Sequence, residues 1–168
     1  MKIKALVLTI ILCIIALPGL HAFGLGAQFN FSTGDIHAPG ASLLFSPADI
    51  AHFAVNWYLD FDNVNIIGLT FDLCPLALPL TTFSAGSINF TLGIGLFTNV
   101  AFGDDREFHS GLRLPVGFNI LLGKNALEFF THVAPSFSVH FIPRLELADP
   151  FFPIAAGARF WIRKSNRR

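Results

Sequence analysis

The sequence predicts an all-β protein, a closed antiparallel eight-stranded transmembrane β-barrel behind a cleaved signal peptide. Three observations carry this. Apolar and polar residues alternate with period two along most of the chain, the repeat of a strand with two unlike faces. Only 13% of the 168 residues are charged, against a usual share of about 25%. The first 22 residues have the layout of an export signal.

In that signal, Lys2 and Lys4 form the charged start, and Ala5 to Leu17 form the apolar stretch. Pro18-Gly19 breaks it, and cleavage after Ala22 fits a small-residue site, although Leu20 is large for its place. A retained anchor is the alternative, but the apolar run is short for a span of about 20 residues. The domain map is therefore 1–22 signal peptide, 23–163 barrel and 164–168 basic tail. Cys13 lies in the signal. Its loss leaves Cys74 alone, with no intramolecular disulfide possible.

Strand one places Phe23, Leu25, Ala27, Phe29 and Phe31 on one face. The loop GDIHAPG follows, then a shorter strand with Ala41, Leu43 and Phe45, stopped by Ser46-Pro47-Ala48-Asp49. Phe53, Val55, Trp57, Leu59 and Phe61 make strand three. Asp62-Asn63 turns the chain into strand four, with Ile67, Leu69, Phe71 and Leu73. Residues 74–86 contain Pro75 and Pro79. Prolines are excluded from regular central strands, so this segment reads as a long apolar connection. Strand five carries Ile88, Phe90, Leu92, Ile94 and Leu96. Strand six runs from Leu112 to Leu122 and turns at Lys124-Asn125 into strand seven, Leu127 to Phe141. Strand eight carries Ile154, Ala156, Ala158, Phe160 and Ile162. Several strands have the 9–11 residues, roughly, that cross a bilayer when tilted.

The two faces decide between a soluble barrel and a membrane barrel. The apolar face holds no Asp, Glu, Lys or Arg in any strand. The polar face is mostly Gly, Ala, Asn, Ser and Thr, which fits a narrow filled interior better than a water-exposed surface. The in-strand charges Asp60, Asp72, Arg113, Glu128 and Arg159 all share the polar parity. A soluble secreted β-barrel is the rival class.

The segment LRLPVGFNILLGKNALEFFTHVAP, residues 112–135, and the closing GARFWI resemble a family of small spirochaetal outer-membrane β-barrel proteins. The matched residues are Arg113, Pro115, Gly117, Leu127, Glu128, Phe130, Ala134, Pro135, Gly157, Arg159 and Phe160. More broadly, a signal peptide followed by eight strands is similar to the OmpA/OmpX/OmpW class. The chain departs from that pattern in running on through Arg163 to Arg168, where such barrels usually finish on an aromatic residue. The resemblance implies a bacterial outer-membrane location, contact with outer-membrane lipids and handling by the barrel-assembly machinery. It implies no established activity.

Tests for chemistry return little. The zero formal net charge gives no basic surface for nucleic acid. No phosphate loop, dinucleotide glycine motif, HExxH or CxxC occurs, so no cofactor, metal or catalytic residue is expected. His37, His52, His109, His132 and His140 read as lumen or capping residues. His132 and His140 share a face but stand about 27 Å apart along one strand, too far to hold one metal. A lipid acyl-chain-modifying enzyme needs a His set on a Ser, and His109-Ser110 point to opposite faces. The expected function is a structural barrel with a filled lumen. The alternative is a narrow pore, or a carrier for a small apolar molecule.

Four geometric expectations follow. Loops near 33–39, 61–64, 103–108 and 142–150 lie at the external end, with both termini periplasmic. Pro115 and Pro135 each remove a ladder donor and produce a bulge or strand bend, with residue 115 facing 134. Arg113 stands opposite Ser136, and a short last loop brings Arg159 near Ala134. At least one of these arginines bonds an inward carboxylate drawn from Glu128, Asp60 and Asp72, because two unpaired cations in a narrow lumen are costly.

Overall fold

The computed structural model describes residues 22–31, 39–59, 65–102, 107–142 and 145–163. The expected signal peptide 1–22 except for Ala22, the basic tail 164–168, Asp60 and most of the loop residues fall outside that set. The strands are β1 (Ala22–Phe31), β2 (Gly40–Ala48), β3 (Ala51–Leu59), β4 (Asn65–Phe83) and β5 (Gly86–Phe102). They are followed by β6 (Glu107–Arg113), β7 (Val116–Leu122), β8 (Leu127–Val133), β9 (Ser136–Ile142), β10 (Glu146–Leu147) and β11 (Ile154–Arg163).

These segments form one closed antiparallel sheet. Strands β1 to β5 pair in sequence order, and β11 pairs with both β1 and β8. β5 pairs with β6 along its second half and with β7 along its first. β6 and β7 are thus two halves of one barrel strand, and β8 and β9 are two halves of the next. Counted this way the barrel has eight strands, as the alternation predicts. The turns at 49–50, 84–85 and 123–126 and both strand ends at Ala22 and Arg163 share one end. Lys124 and Asn125 have φ of 59° and 65°, the left-handed pair that a tight hairpin of this twist needs.

Cα partners followed around the wall from Leu127 give Phe160, Leu25, Phe45, Phe53, Phe71, Leu96, Leu112 and then Phe137. The circuit returns ten residues further along the same barrel strand (137 − 127). That stagger tilts the strands and sets a narrow bore. Every residue on the circuit is Leu or Phe. This line belongs to the outer face, where Phe29 is 79% and Leu43 73% exposed. The side chains alternating with it are buried, and they include Gln28, Asn30, Ser42, Asn56, Asp72, Arg113, Glu128 and Arg159. The polarity is inside out relative to a water-soluble barrel.

The prolines correct one expectation. Residues 74–86 do not form an irregular connection: β4 continues through Pro75 and Pro79 to Phe83, paired with β5 across register shifts at Leu73/Leu76 and Pro79/Thr81. The prolines are tolerated because β3 ends here. Its last contact is the bond from Cys74 N to Ile50 O at 2.7 Å, and among the described residues 75–83 pair only on the β5 side. At Pro115 and Pro135 the strands are interrupted, but no bulge forms. Gly93 N donates to Pro115 O and Leu114 N to Pro135 O, both at 2.9 Å. Each proline deletes only the return bond, so the register Arg113↔Ser136 continues into Val116↔Val133 without a slip.

Candidate functional site in the barrel lumen

Lumen-facing residues of successive strands form rows. One row runs Trp161, Gly24, Ser46 by Cα partnership, and the Ser46 hydroxyl lies 2.9 Å from His52 Nδ1. It continues from His52 through Asp72, Gly95 and Arg113 to Ser136. Asp72 and Arg113 are two strands apart and meet over Gly95, with Arg113 Nε 3.3 Å from Asp72 Oδ1. A Cβ on residue 95 would collide with the Asp72 carboxylate and lie 3.0 Å from Arg113 Cγ. Glycine at that position is what lets this pair close. The Arg113 guanidinium also reaches His132, Nη2 to Nε2 at 3.0 Å. Arginine only donates, so His132 Nε2 is the acceptor.

The second pair is built within one row. Arg159 is the direct partner of Glu128, and its Nη1 lies 3.2 Å from Glu128 Oε2. Trp161 Nε1 donates to the same Oε2 at 2.6 Å, and Asn119 Nδ2 donates to Oε1 at 2.8 Å. Arg159 Nη1 also lies 3.0 Å from His52 Nδ1. Its guanidinium carbon is 5.0 Å from the centre of the Phe130 ring and 5.3 Å from that of Trp161. Arg113, Arg159, Glu128 and Asp72 are 5–7% exposed. The expected proximity of Arg159 to Ala134 is therefore corrected. The connection between β9 and β11 is long and includes β10, so β11 enters lower against β8 and puts Arg159 directly opposite Glu128.

A polar ladder fills the wall beside these pairs. Gln28 Nε2 donates to Asn30 Oδ1 at 2.6 Å, Asn30 bonds the Ser42 hydroxyl, and Ser42 Oγ donates to Asn56 Oδ1 at 2.6 Å. A cavity of about 80 Å³ remains between the pairs and the ladder, lined in part by His52, Asp72, Cys74, Glu128, His132 and Arg159. That is room for a few waters. His52, His132, Asn119 and Trp161 were not singled out as partners from sequence, although each stands on the polar parity that marked the charges.

Trp161 contributes a charge-assisted hydrogen bond to a buried carboxylate. Trp161→Phe is expected to cost about 1.5–3 kcal/mol, the usual worth of a hydrogen bond to a charged group. Urea unfolding followed by the gel mobility of the compact form measures it, and an unchanged midpoint would remove Trp161 from the network.

Comparison with known proteins gives distant likenesses. No protein-family model matches the chain, and no curated protein matches it significantly. Among solved structures it is similar to the N-terminal β-barrel domain of Pseudomonas aeruginosa OprF, with 12% identity and a TM-score of 0.43 over 84% of this chain and 98% of that one. It is similar to Neisserial surface protein A, with 15% identity and a TM-score of 0.43 over 83% and 95%. The Yersinia pestis attachment invasion locus protein Ail matches at 10% identity and a TM-score of 0.38 over 84% and 97%. At this distance no residue role transfers.

Proposed function

We propose that the chain is a small structural barrel of the bacterial outer membrane, exported by residues 1–22 and inserted by the barrel-assembly machinery, with a plugged lumen and no catalytic chemistry. The observation that carries this reading is the inverted polarity: an unbroken Leu/Phe belt outside, and charges paired inside. A closed sheet also leaves few backbone groups unpaired in lipid, which open sheets cannot do. The quoted likeness of residues 112–135 to spirochaetal barrels supports the same location. The barrel end opposite the turns at 49–50, 84–85 and 123–126 would then face outward. Outer-membrane lipids are the neighbours of the apolar belt.

The plug rests on Arg113–Asp72 and Arg159–Glu128, which hold the bore closed across β4, β6, β8 and β11. Catalysis finds no footing there. The Ser46 hydroxyl is completely buried, and the lone pair of His52 Nδ1 that a Ser–His couple would use faces the Arg159 guanidinium. Purified protein in planar bilayers should give no steady ion conductance while its gel mobility shows a folded barrel. Steady channels from the wild-type protein would end the plugged reading, and recovery in soluble fractions would end the membrane reading.

A carrier for a small molecule is a second reading favoured by one observation. The cavity wall runs from Arg159 to the exposed Ala77, which stands on the length of β4 that pairs with β5 but, among the described residues, not on its other side. A molecule could enter sideways there, past an edge whose prolines discourage strand addition.

A further inference from the structure

The outer face carries a shaped groove that a plain apolar belt does not need. Two neighbouring rows of outward residues bound it, crossing the wall from β2 towards β6. One row is Phe45, Phe53, Phe71 and Leu96 by Cα partnership. The other is Leu43, Val55, Leu69, Thr98 and Ser110. Ala54, Thr70 and Phe97 stand between the rows and are buried towards the lumen, so the floor of the groove is backbone. Its volume is about 690 Å³. The aromatic wall is braced: the Phe53 and Phe71 rings stack with centroids 4.5 Å apart, and Phe45 lies 6.3 Å from Phe53. The opposite wall drops to the small side chains of Thr98 and Ser110 at its β6 end.

Small-molecule sites have volumes of roughly 300–1,000 Å³, apolar walls and a few placed polar groups. Four strand spacings of about 4.8 Å make this groove about 19 Å long. One leaflet of a hydrocarbon core about 30 Å thick is about 15 Å deep, so a single acyl chain matches the length. No charged residue lines the groove, and the medium over the belt is acyl chain. The polar end is equally defined. Ser110 Oγ donates to Phe97 O at 2.7 Å, and Thr98 Oγ1 donates more weakly to His109 O at 3.5 Å. Both hydroxyl protons are used by the backbone, so each oxygen meets a ligand as an acceptor. The rows climb away from the turn end in passing from β2 to β6, by the same stagger that carries Leu127 round to Phe137. The hydroxyls therefore stand at the outer end of the groove.

We propose that this groove binds one acyl chain of an outer-leaflet amphiphile, with a hydroxyl near the head of that chain donating to Ser110 and Thr98. The tail runs down past Leu69 and Val55 to Leu43, against the phenyl wall. The braced wall is formed before the chain arrives, so little ordering of the protein opposes binding. The inference rests on the membrane reading and is independent of the Arg–carboxylate plug, which lies on the other side of the wall.

The test uses the barrel folded in detergent micelles and incubated with 3-hydroxytetradecanoic acid or with tetradecanoic acid. Native mass spectrometry after the micelle is stripped counts the chains retained. One chain should stay on each monomer, and the hydroxylated acid should be preferred about three- to tenfold, the usual worth of one neutral hydrogen bond. The double variant Thr98→Phe/Ser110→Phe fills the groove and should lower retention at least about tenfold, as overpacking a formed site does. Ala156→Phe enlarges an exposed belt residue of β11 away from the groove and should retain the chain as wild type does. Thr98→Val/Ser110→Ala keeps the groove and should lose the preference for the hydroxylated acid. Each variant is checked for a folded barrel by gel mobility. A spread of retained chains that the double phenylalanine variant leaves unchanged overturns the groove, and so do equal retention of the two acids or dimers in place of chain-bound monomers. Recovery of the protein in soluble fractions ends the membrane reading as well, whereas a membrane-inserted barrel that retains no chain ends the groove alone.

Discussion

Arg159→Leu is expected to destabilise the folded barrel by about 3–5 kcal/mol, the range for removing one member of a buried ion pair. The loss exceeds that of the contact itself. Glu128 keeps the donors Asn119 and Trp161 but loses its only cation among the described residues, inside a wall that is 5% exposed at that position. His52 loses a donor, and the Phe130 and Trp161 rings lose the guanidinium they flank. Urea titration in micelles, read by the loss of the fast-migrating compact band, gives the midpoint. An Arg159→Leu barrel that unfolds with wild-type protein would show that the lumen is wet enough to solvate Glu128 alone.

Arg113→Leu should cost a comparable amount, again about 3–5 kcal/mol, because it strands the Asp72 carboxylate. This pair offers a sharper control. Asp72 and Arg113 meet over Gly95 with few other polar ties. The double substitution Asp72→Leu/Arg113→Leu removes both charges and fills the space with apolar side chains. Buried pairs replaced in this way are often neutral or even stabilising, so the double variant should recover most of what the single variant loses. If it unfolds as early as Arg113→Leu, the arginine acts mainly through His132, its second contact at 3.0 Å. A structure with either side chain turned into the apolar belt would remove the pair altogether.

Local sequence determined much of this protein. Outside residues 74–86, period two sorted the residues of the predicted strands into belt or lumen, because one step along a strand reverses the side chain whatever its neighbours are. That alone put Asp72, Arg113, Glu128 and Arg159 inside. The turn at Lys124-Asn125 set the β6–β9 and β7–β8 register, so Arg113 opposite Ser136 and residue 115 facing 134 were legible from a two-residue hairpin. Tertiary structure decided the rest. The approach of β11 to β8 depends on a long connection and on closing the whole circuit, and no local rule places Arg159 on Glu128. Asp72 and Arg113 belong to strands that are not neighbours, and they meet only because β5 supplies a glycine between them. β4 runs through two prolines because its neighbour β3 stops first. That edge exists only once the strands are staggered by ten residues around the barrel, and a proline rule applied to β4 alone could not see it.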